Sequence, residues 1–292
     1  MTETAVGIPT RVLVLGMAHD DGTIRADELY PVAEACGQST EQVRSCLRRL
    51  VAEGLFTRSG SGRDALFRAT PEGRTTLGLR VERTRLAYAQ DAAGRGWDRR
   101  WHLAGFAIPE SKRGARDATR ARVIELGGAR VQGGLYVSPH PWEEDVRDAA
   151  DRLGVLDHLT LAATDDLEVG GEPDPRRLAG RLWPLDRLAE SYRRFTQTYA
   201  WAPDLLEEMR RERRRLTDTR FLPGALSMAV AFQEVFDQDP LLPPELLPRP
   251  WPGREARDIV VRSRRLALLA RESSDQPAPF QLFDDIVERV TI

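Results

Sequence analysis

From Ile24 to Gly73 the chain sets a helix, a tight turn, a second helix and a Gly-tipped hairpin in direct succession. The turn is Cys36-Gly37-Gln38, and Ser39 opens the second helix with Gln42 three residues on. That spacing is a capping box, in which the Ser oxygen and the Gln side chain satisfy free backbone amides. Val43, Cys46, Leu47, Leu50 and Val51 follow the i, i+3, i+4, i+7, i+8 pattern of one buried stripe. With that stripe inward, Glu41, Ser45, Arg48, Arg49 and Ala52 point outward, with Gln42 and Arg44 at the edges, and Gly54 stops the helix. Leu55–Arg58 then reads as a strand, Ser59-Gly60-Ser61-Gly62 as a tip and Leu66–Ala69 as the return strand. Pro71 stands at a favourable first helical position. The unit reads as a winged helix-turn-helix.

A solvated helix face carrying forked donors suits a DNA major groove. Gln42, Arg44, Ser45, Arg48 and Arg49 are the candidates to meet base edges or nearby phosphates, and Arg58, Arg63 and Arg68 would grip backbone from the wing. The alternative is an ordinary solvated helix face, since helix pairs with a Gly turn also occur in proteins that never meet DNA.

Composition limits the remaining choices. At 292 residues and 41% hydrophobic content the chain is long enough for two or three small domains with a real core. Net charge is −2, so a DNA-binding surface must be local and offset by acidic regions elsewhere. Lys112 is the only lysine, so nearly all positive charge is arginine, the residue that offers bidentate recognition of phosphate or guanine. No apolar run approaches the roughly 18 residues of a membrane span, and Met1-Thr2-Glu3 begins no signal peptide, so a cytoplasmic protein is expected. Cys36 and Cys46 are expected as packed thiols of a reducing compartment; a redox switch between them is the sharper alternative.

The expected fold class is α+β in four consecutive blocks: a winged helix over residues 1–76, a connecting helix over 77–96, a central domain over 97–180 and a helical domain over 181–292. In the first, Ile8, Val12, Leu13, Leu15 and Met17 supply a helix that Gly22 ends, and Ala26–Ala35 the next. The connecting helix runs from Leu77 towards Arg95. The central block shows strands at Trp101–Ile108, Ala129–Val131, Leu135–Val137 and Leu156–Ala163, with helices at Arg116–Leu126 and Trp142–Leu153. The order βαββαβ is the ferredoxin-like unit, with two helices on one face of an antiparallel sheet. In the last block Pro184–Ala200, Asp204–Leu216, Gly224–Phe236 and Arg254–Leu269 read as helices, and the tail after Ser273 as poorly ordered.

Three landmarks resemble the PaaX-like transcriptional regulators, the family of phenylacetic acid catabolism repressors. They are Ile8-Pro9-Thr10-Arg11; Trp97-Asp98-Arg99-Arg100-Trp101 with Phe106-Ala107-Ile108-Pro109-Glu110 and Gly134-Leu135-Tyr136-Val137-Ser138-Pro139; and the Pro-rich run Asp239–Pro248 with Trp251-Pro252-Gly253. The resemblance implies a homodimeric repressor on a pseudo-palindromic double-stranded operator, with a central domain like the small CRISPR-associated ferredoxin-fold nucleases. It also implies release by a small-molecule effector, which in the founding group is an acyl-CoA thioester, phenylacetyl-CoA. Such an effector must bind the DNA-incompetent state more tightly.

The other constellations point less far. A metal-dependent nuclease is the enzymatic alternative, but where that nuclease family has Asp at the end of the first strand this chain has Ala107, with Glu110 beyond a proline. His19, His102, His140 and His158 form no zinc-site spacing, so no metal, cofactor or enzymatic activity is expected. Glu143-Glu144-Asp145 suits a helix start. The run Arg210–Arg215 offers cations to a CoA phosphate, or equally salt bridges to Glu207 and Glu208. Trp97, Trp101, Trp183 and Trp201 could line an effector pocket or fill core. A third reading is a regulator that acts through protein partners, its DNA module serving only to localise it.

Overall fold

The computed structural model describes residues 8–214, 218–270 and 279–290. In chain order these form α1 (Thr10–Gly16), β1 (Thr23–Arg25), α2 (Ala26–Ala35), α3 (Thr40–Ala52), β2 (Phe56–Ser59), β3 (Leu66–Ala69) and α4 (Pro71–Ala93). There follow β4 (Trp101–Phe106), α5 (Arg113–Glu125), β5 (Ala129–Gln132), β6 (Leu135–Ser138), α6 (Glu143–Arg152), β7 (Leu159–Thr164) and α7 (Pro175–Leu182). The chain ends in α8 (Leu185–Tyr199), α9 (Ala202–Arg211), α10 (Asp218–Phe236), α11 (Pro252–Ala270) and α12 (Asp284–Arg289). The fold is thus mixed helix and sheet. Contacts divide it into two compact units, one of Met1–Tyr88, Tyr192–Phe236 and Gly253–Ile292, the other of Ala89–Ser191 and Asp237–Pro252.

In the first unit β1, β3 and β2 form an antiparallel sheet in that order. Its core face sets Ile24 beside Phe67, and both are buried with Leu13, Leu29, Val43, Leu47, Leu50 and Phe56. Leu222, Leu226 and Val230 of α10 and Ala267 of α11 belong to the same core. Thr70 caps α4, its hydroxyl accepting from the Gly73 amide at 3.1 Å and donating to the carbonyl of Gly54 at 2.7 Å. Gly73 is required there, because a Cβ would lie 2.0 Å from the Leu55 carbonyl oxygen.

Five differences from the sequence expectations have physical reasons. Thr23–Arg25 is a strand, where no element was expected between Gly22 and Ala26; three residues are too few for an alternation signal. The first helix stops at Gly16 instead of running on to Gly22, although Met17 stays buried. Val51 is 36% exposed, not part of the buried stripe; at 100° per residue it lies about 80° round the axis from Val43. The helix that opens at Pro71, the expected first helical position, runs without a break through the connecting segment expected from Leu77 and ends at Ala93, short of Arg95. The tail after Ser273 is ordered where it is described: the Phe280 ring packs on Gly16, and Ile286 and Val287 of α12 are buried. Residues 274–278, 291 and 292 of that tail, and Leu216 at the expected end of α9, lie outside the described residues.

The second unit holds an antiparallel sheet ordered β5-β6-β4-β7. Its register pairs Ala104 with Tyr136 and with Leu161. Val123 of α5 and Val146 of α6 pack with Trp142 on that face, beside Ala104 and Tyr136. On the other face Trp101 and Val137 pack with Leu178 of α7 and with Leu242, Leu246 and Leu247 of the Pro-rich run. That run is anchored at Leu241, a buried residue held at φ +55°. The Asp239 carboxylate accepts from its amide at 2.8 Å, and His140 Nε2 and Gln90 Nε2 donate to its carbonyl at 2.8 and 3.3 Å. α7 is a further element that the sequence expectations lacked, capped by Asp174 with Pro175 in its first turn.

Candidate nucleic-acid interface

The α2–α3 turn is fixed by a left-handed glycine and two sets of hydrogen bonds. Gly37 turns the chain at φ +72°. Gln38 donates to the Ile8 carbonyl at 2.8 Å and accepts from Thr10 Oγ1 at 2.6 Å, tying the turn to α1. Ser39 and Gln42 close the expected capping box: the Gln42 amide donates to Ser39 Oγ at 3.2 Å, and the Ser39 amide to Gln42 Oε1 at 2.8 Å. At the far end of α3 the Arg11 guanidinium grips Glu53 with contacts of 3.1 and 2.8 Å. Arg11's hydrogen bond lowers the Glu53 carboxyl from its ordinary value against desolvation, with the charges of Arg11 and Arg49 adding to the lowering. Val43, Cys46, Leu47 and Leu50 are buried, so the helix has one fixed orientation. The Val43, Leu47 and Leu50 side chains each contribute roughly 1.5–3 kcal/mol by leaving water.

The opposite face is Glu41, Arg44, Arg48 and Arg49, all exposed, with Ser45 half-buried. Arg48 and Glu41 form an ion pair of 2.8 Å. Gln42 is exposed, but its oxygen belongs to the capping box, which leaves its amide nitrogen as the group able to donate outward. Of the hairpin arginines, Arg63 sits in a short 3₁₀ turn at the tip (Gly62–Asp64), fully on the surface. Arg58 pairs with Phe67 and lays its guanidinium over that ring at 6.0 Å. Arg68 pairs with Thr57 and Thr23 instead. Adjacent strand residues alternate faces, so Arg58 and Arg68 leave the sheet on opposite sides. The structure therefore brings Arg44, Ser45, Arg48 and Arg49 together on α3 and splits the wing set. Arg25 was missed by the sequence reading; it lies on Arg68's side of β1 and is exposed. No signal for it existed without β1.

The thiols stay out of this surface. Burial pushes the Cys36 thiol up to about 11 and raises Cys46 as well, against Arg49 and Arg11, so neither is a ready thiolate.

In the second unit His102, expected as an ordinary strand histidine, is buried between two carboxylates. Nδ1 lies 2.6 Å from Glu143 and Nε2 3.1 Å from Asp98. Burial works to raise the Glu143 carboxyl, yet hydrogen bonds from His102, from its own amide and from the Trp142 amide leave it lowered overall. Glu143 thus serves both as helix start and as histidine partner. Trp101 and Trp183 are buried with centroids 6.3 Å apart, and Trp97 packs 5.4 Å from Trp101, so these rings fill core. Trp201 is 58% exposed at the start of α9. Glu207 pairs with Arg210 at 2.6 Å and Arg211 at 3.4 Å, and Glu212 with Arg214 at 2.7 Å; Arg215 lies outside the described residues.

Ala107 follows β4 and is exposed, its amide donating to the His158 carbonyl at 3.2 Å. It borders an open groove of about 570 Å³ with Phe106, Gly133, Leu135 and His158, whose described lining carries no carboxylate. Among the described residues no group of three or more His, Cys, Asp or Glu side chains could hold a metal ion, and no helix is long and apolar enough to cross a membrane.

Comparison with known proteins places this architecture. Residues 94–179 match the PaaX protein central Cas2-like domain, and residues 183–275 the PaaX-like protein C-terminal domain. The chain is 27% identical over 245 residues to the transcriptional repressor PaaX of Escherichia coli, an alignment covering 84% of this chain and 74% of that protein. It belongs to the PaaX-like transcriptional regulator family. An uncharacterised protein of Mycobacterium tuberculosis shares the fold, with a TM-score of 0.50 at 24% identity over 84% of this chain and 89% of that one.

Proposed function

We propose that the protein is a sequence-specific, double-stranded-DNA-binding transcriptional repressor. The observation that carries this reading is the α3 surface: a helix locked by its capping box and buried stripe, presenting Arg44, Ser45, Arg48 and Arg49 beside an Arg63-tipped hairpin. The α1–β3 segment acts as a winged helix with α3 as recognition helix, and the β4–β7 unit as a ferredoxin-like platform. The similarity to a named transcriptional repressor supports the same direction. The working form is a cytoplasmic homodimer on a pseudo-palindromic operator, with half-sites about one helical turn or a multiple apart. A small-molecule effector, such as an acyl-CoA thioester, releases it by favouring the state in which the two wings are misplaced. A nuclease reading is not favoured, because Ala107 stands where the metal-binding carboxylate would be needed.

Fluorescence anisotropy on the protein's own upstream DNA against random DNA, across a salt series, tests the reading. A preference of about 10³ or more with a steep salt slope is the expected result. Arg48→Ala is expected to lose about 1–3 kcal/mol on the operator and to relax sequence preference, and Arg63→Ala to weaken all DNA alike. Absence of binding even at low salt would remove the α1–β3 segment from any DNA-binding role.

A further inference from the structure

We propose that Glu41 is a specificity-determining residue of the α3 surface, selecting against DNA that places no base amino group at the position it faces. This rests on the DNA-binding reading above. Glu41, Arg44, Ser45 and Arg48 stand at i, i+3, i+4 and i+7, one row along the exposed face. The Glu41–Arg48 pair joins the two ends of that row at 2.8 Å, with the side chains 71% and 70% exposed.

This pair is poorly suited to stabilising the helix. Helix-supporting pairs stand three or four residues apart, whereas seven residues set the two Cα atoms about 10 Å apart along the axis. Both side chains must stretch along the surface to meet, and so exposed a pair adds little to stability. Its consequence lies in what the face meets. A carboxylate facing a polyanion is repelled unless it accepts a hydrogen bond from a base, and in the major groove the cytosine N4 and adenine N6 amino groups provide one.

Arg48 in turn must give up Glu41 before it can hold a guanine edge or a phosphate. At a matching site both partners exchange each other for base edges, Arg48 for guanine N7 and O6 and Glu41 for an amino group. At a random site Arg48 finds phosphate, but the amino group of the base pair facing Glu41 is within its reach only in the matching pair and orientation, and otherwise Glu41 meets N7, O6, O4 or phosphate. The arrangement disfavours wrong DNA more than it favours right DNA. Arg44, which makes no hydrogen bond or ion pair in the described structure, carries no such restraint.

The test is Glu41→Gln, alone and in an Arg48→Ala background, by anisotropy on upstream and random DNA in a salt series, with far-UV circular dichroism to verify the helix. The single variant is expected to bind random DNA several-fold more tightly and with a steeper salt slope. Its upstream-to-random ratio should fall about tenfold, the size of one lost base discrimination. In the Arg48→Ala background the gain on random DNA should shrink, because the cation that Glu41 restrains is gone. An unchanged ratio in the single variant, or equal gains in both backgrounds, would show Glu41 acting as bulk charge and overturn the proposal. Wild-type protein that binds neither DNA would instead overturn the DNA-binding reading itself.

Discussion

The capping box at Ser39 and Gln42 allows helix stability to be separated from DNA contact, because two substitutions there act in opposite directions. Ser39→Ala removes the acceptor of the 3.2 Å bond from the Gln42 amide and leaves the reciprocal bond, donated by the backbone amide of residue 39 to Gln42 Oε1, in place. N-cap losses of this kind cost about 0.5–2 kcal/mol, and at this exposed site about 1 kcal/mol is expected. Gln42→Glu keeps the box, since Glu serves equally well at that position, and places negative charge at a helix N-terminus, worth about 0.3–1 kcal/mol. Stability should therefore be unchanged or slightly raised. If α3 reads DNA as proposed, the same charge would face phosphates, so affinity should fall by roughly tenfold or more, most steeply at low salt. Amide hydrogen exchange of residues 40–44 reports the first effect and anisotropy the second. Ser39→Ala should speed exchange and lose about fivefold in binding, and Gln42→Glu should slow or preserve exchange and lose more binding. If Gln42→Glu left DNA affinity intact, the N-terminal turn of α3 would not lie near phosphate, and the assignment of this helix as the reading element would fail.

Two further outcomes are expected from the second unit. Gly134→Ala should cost more than Gly133→Ala in urea unfolding, because a Cβ at Gly134 would lie 2.2 Å from the Phe106 carbonyl oxygen while Gly133, at φ +50°, has open space around it. About 1–3 kcal/mol is expected for the first, and about 1 kcal/mol for the second from backbone strain alone; equal costs would contradict the β4–β6 approach. Glu143 supplies a pH dependence. Its folded value is lowered, so its stabilisation is complete above the unfolded carboxyl value of about 4.3 and is lost as pH falls through the lower folded value. The difference between wild type and Glu143→Gln in urea midpoint should shrink as pH is taken below about 4; a difference constant with pH would mean that the His102 contact does not favour the carboxylate.

Local signals made the first unit's α2–α3 turn legible. The Ser39 box, the Gly37 turn and the stripe through Leu50 are determined by residues within one or two helical turns, and the structure reproduces them. What covers that unit was not legible. Leu222, Leu226 and Val230 join its core from residues far along the chain, and an amphipathic pattern states only that a face is buried, not against what. His102 shows the same limit in the second unit. Asp98 is four residues away and could have been suspected, whereas Glu143 arrives only because α6 packs beside β4. Phe280 on Gly16 is a third case, since no local rule distinguishes a tail that docks from one that does not.

The missing strand β1 also changes what the hairpin can do. Sequence grouped Arg58, Arg63 and Arg68 as one grip, but the register settles their directions. Arg58 stands opposite Phe67 on the core side, held over its ring, whereas Arg68 stands between Thr57 and Thr23 on the outer side, near Asp21. A rigid hairpin laid along a duplex presents one side to the phosphates and turns the other away. Arg58→Ala and Arg68→Ala are accordingly expected to differ, one weakening DNA binding by several-fold with a shallower salt slope and the other staying close to wild type. If Arg68 is the contacting residue, Arg25 on the same face should share its effect, and Arg25→Ala should behave like Arg68→Ala. Equal losses for Arg58→Ala and Arg68→Ala would require DNA on both sides of the sheet, a geometry one duplex cannot supply, and would refute the wing as a one-sided contact.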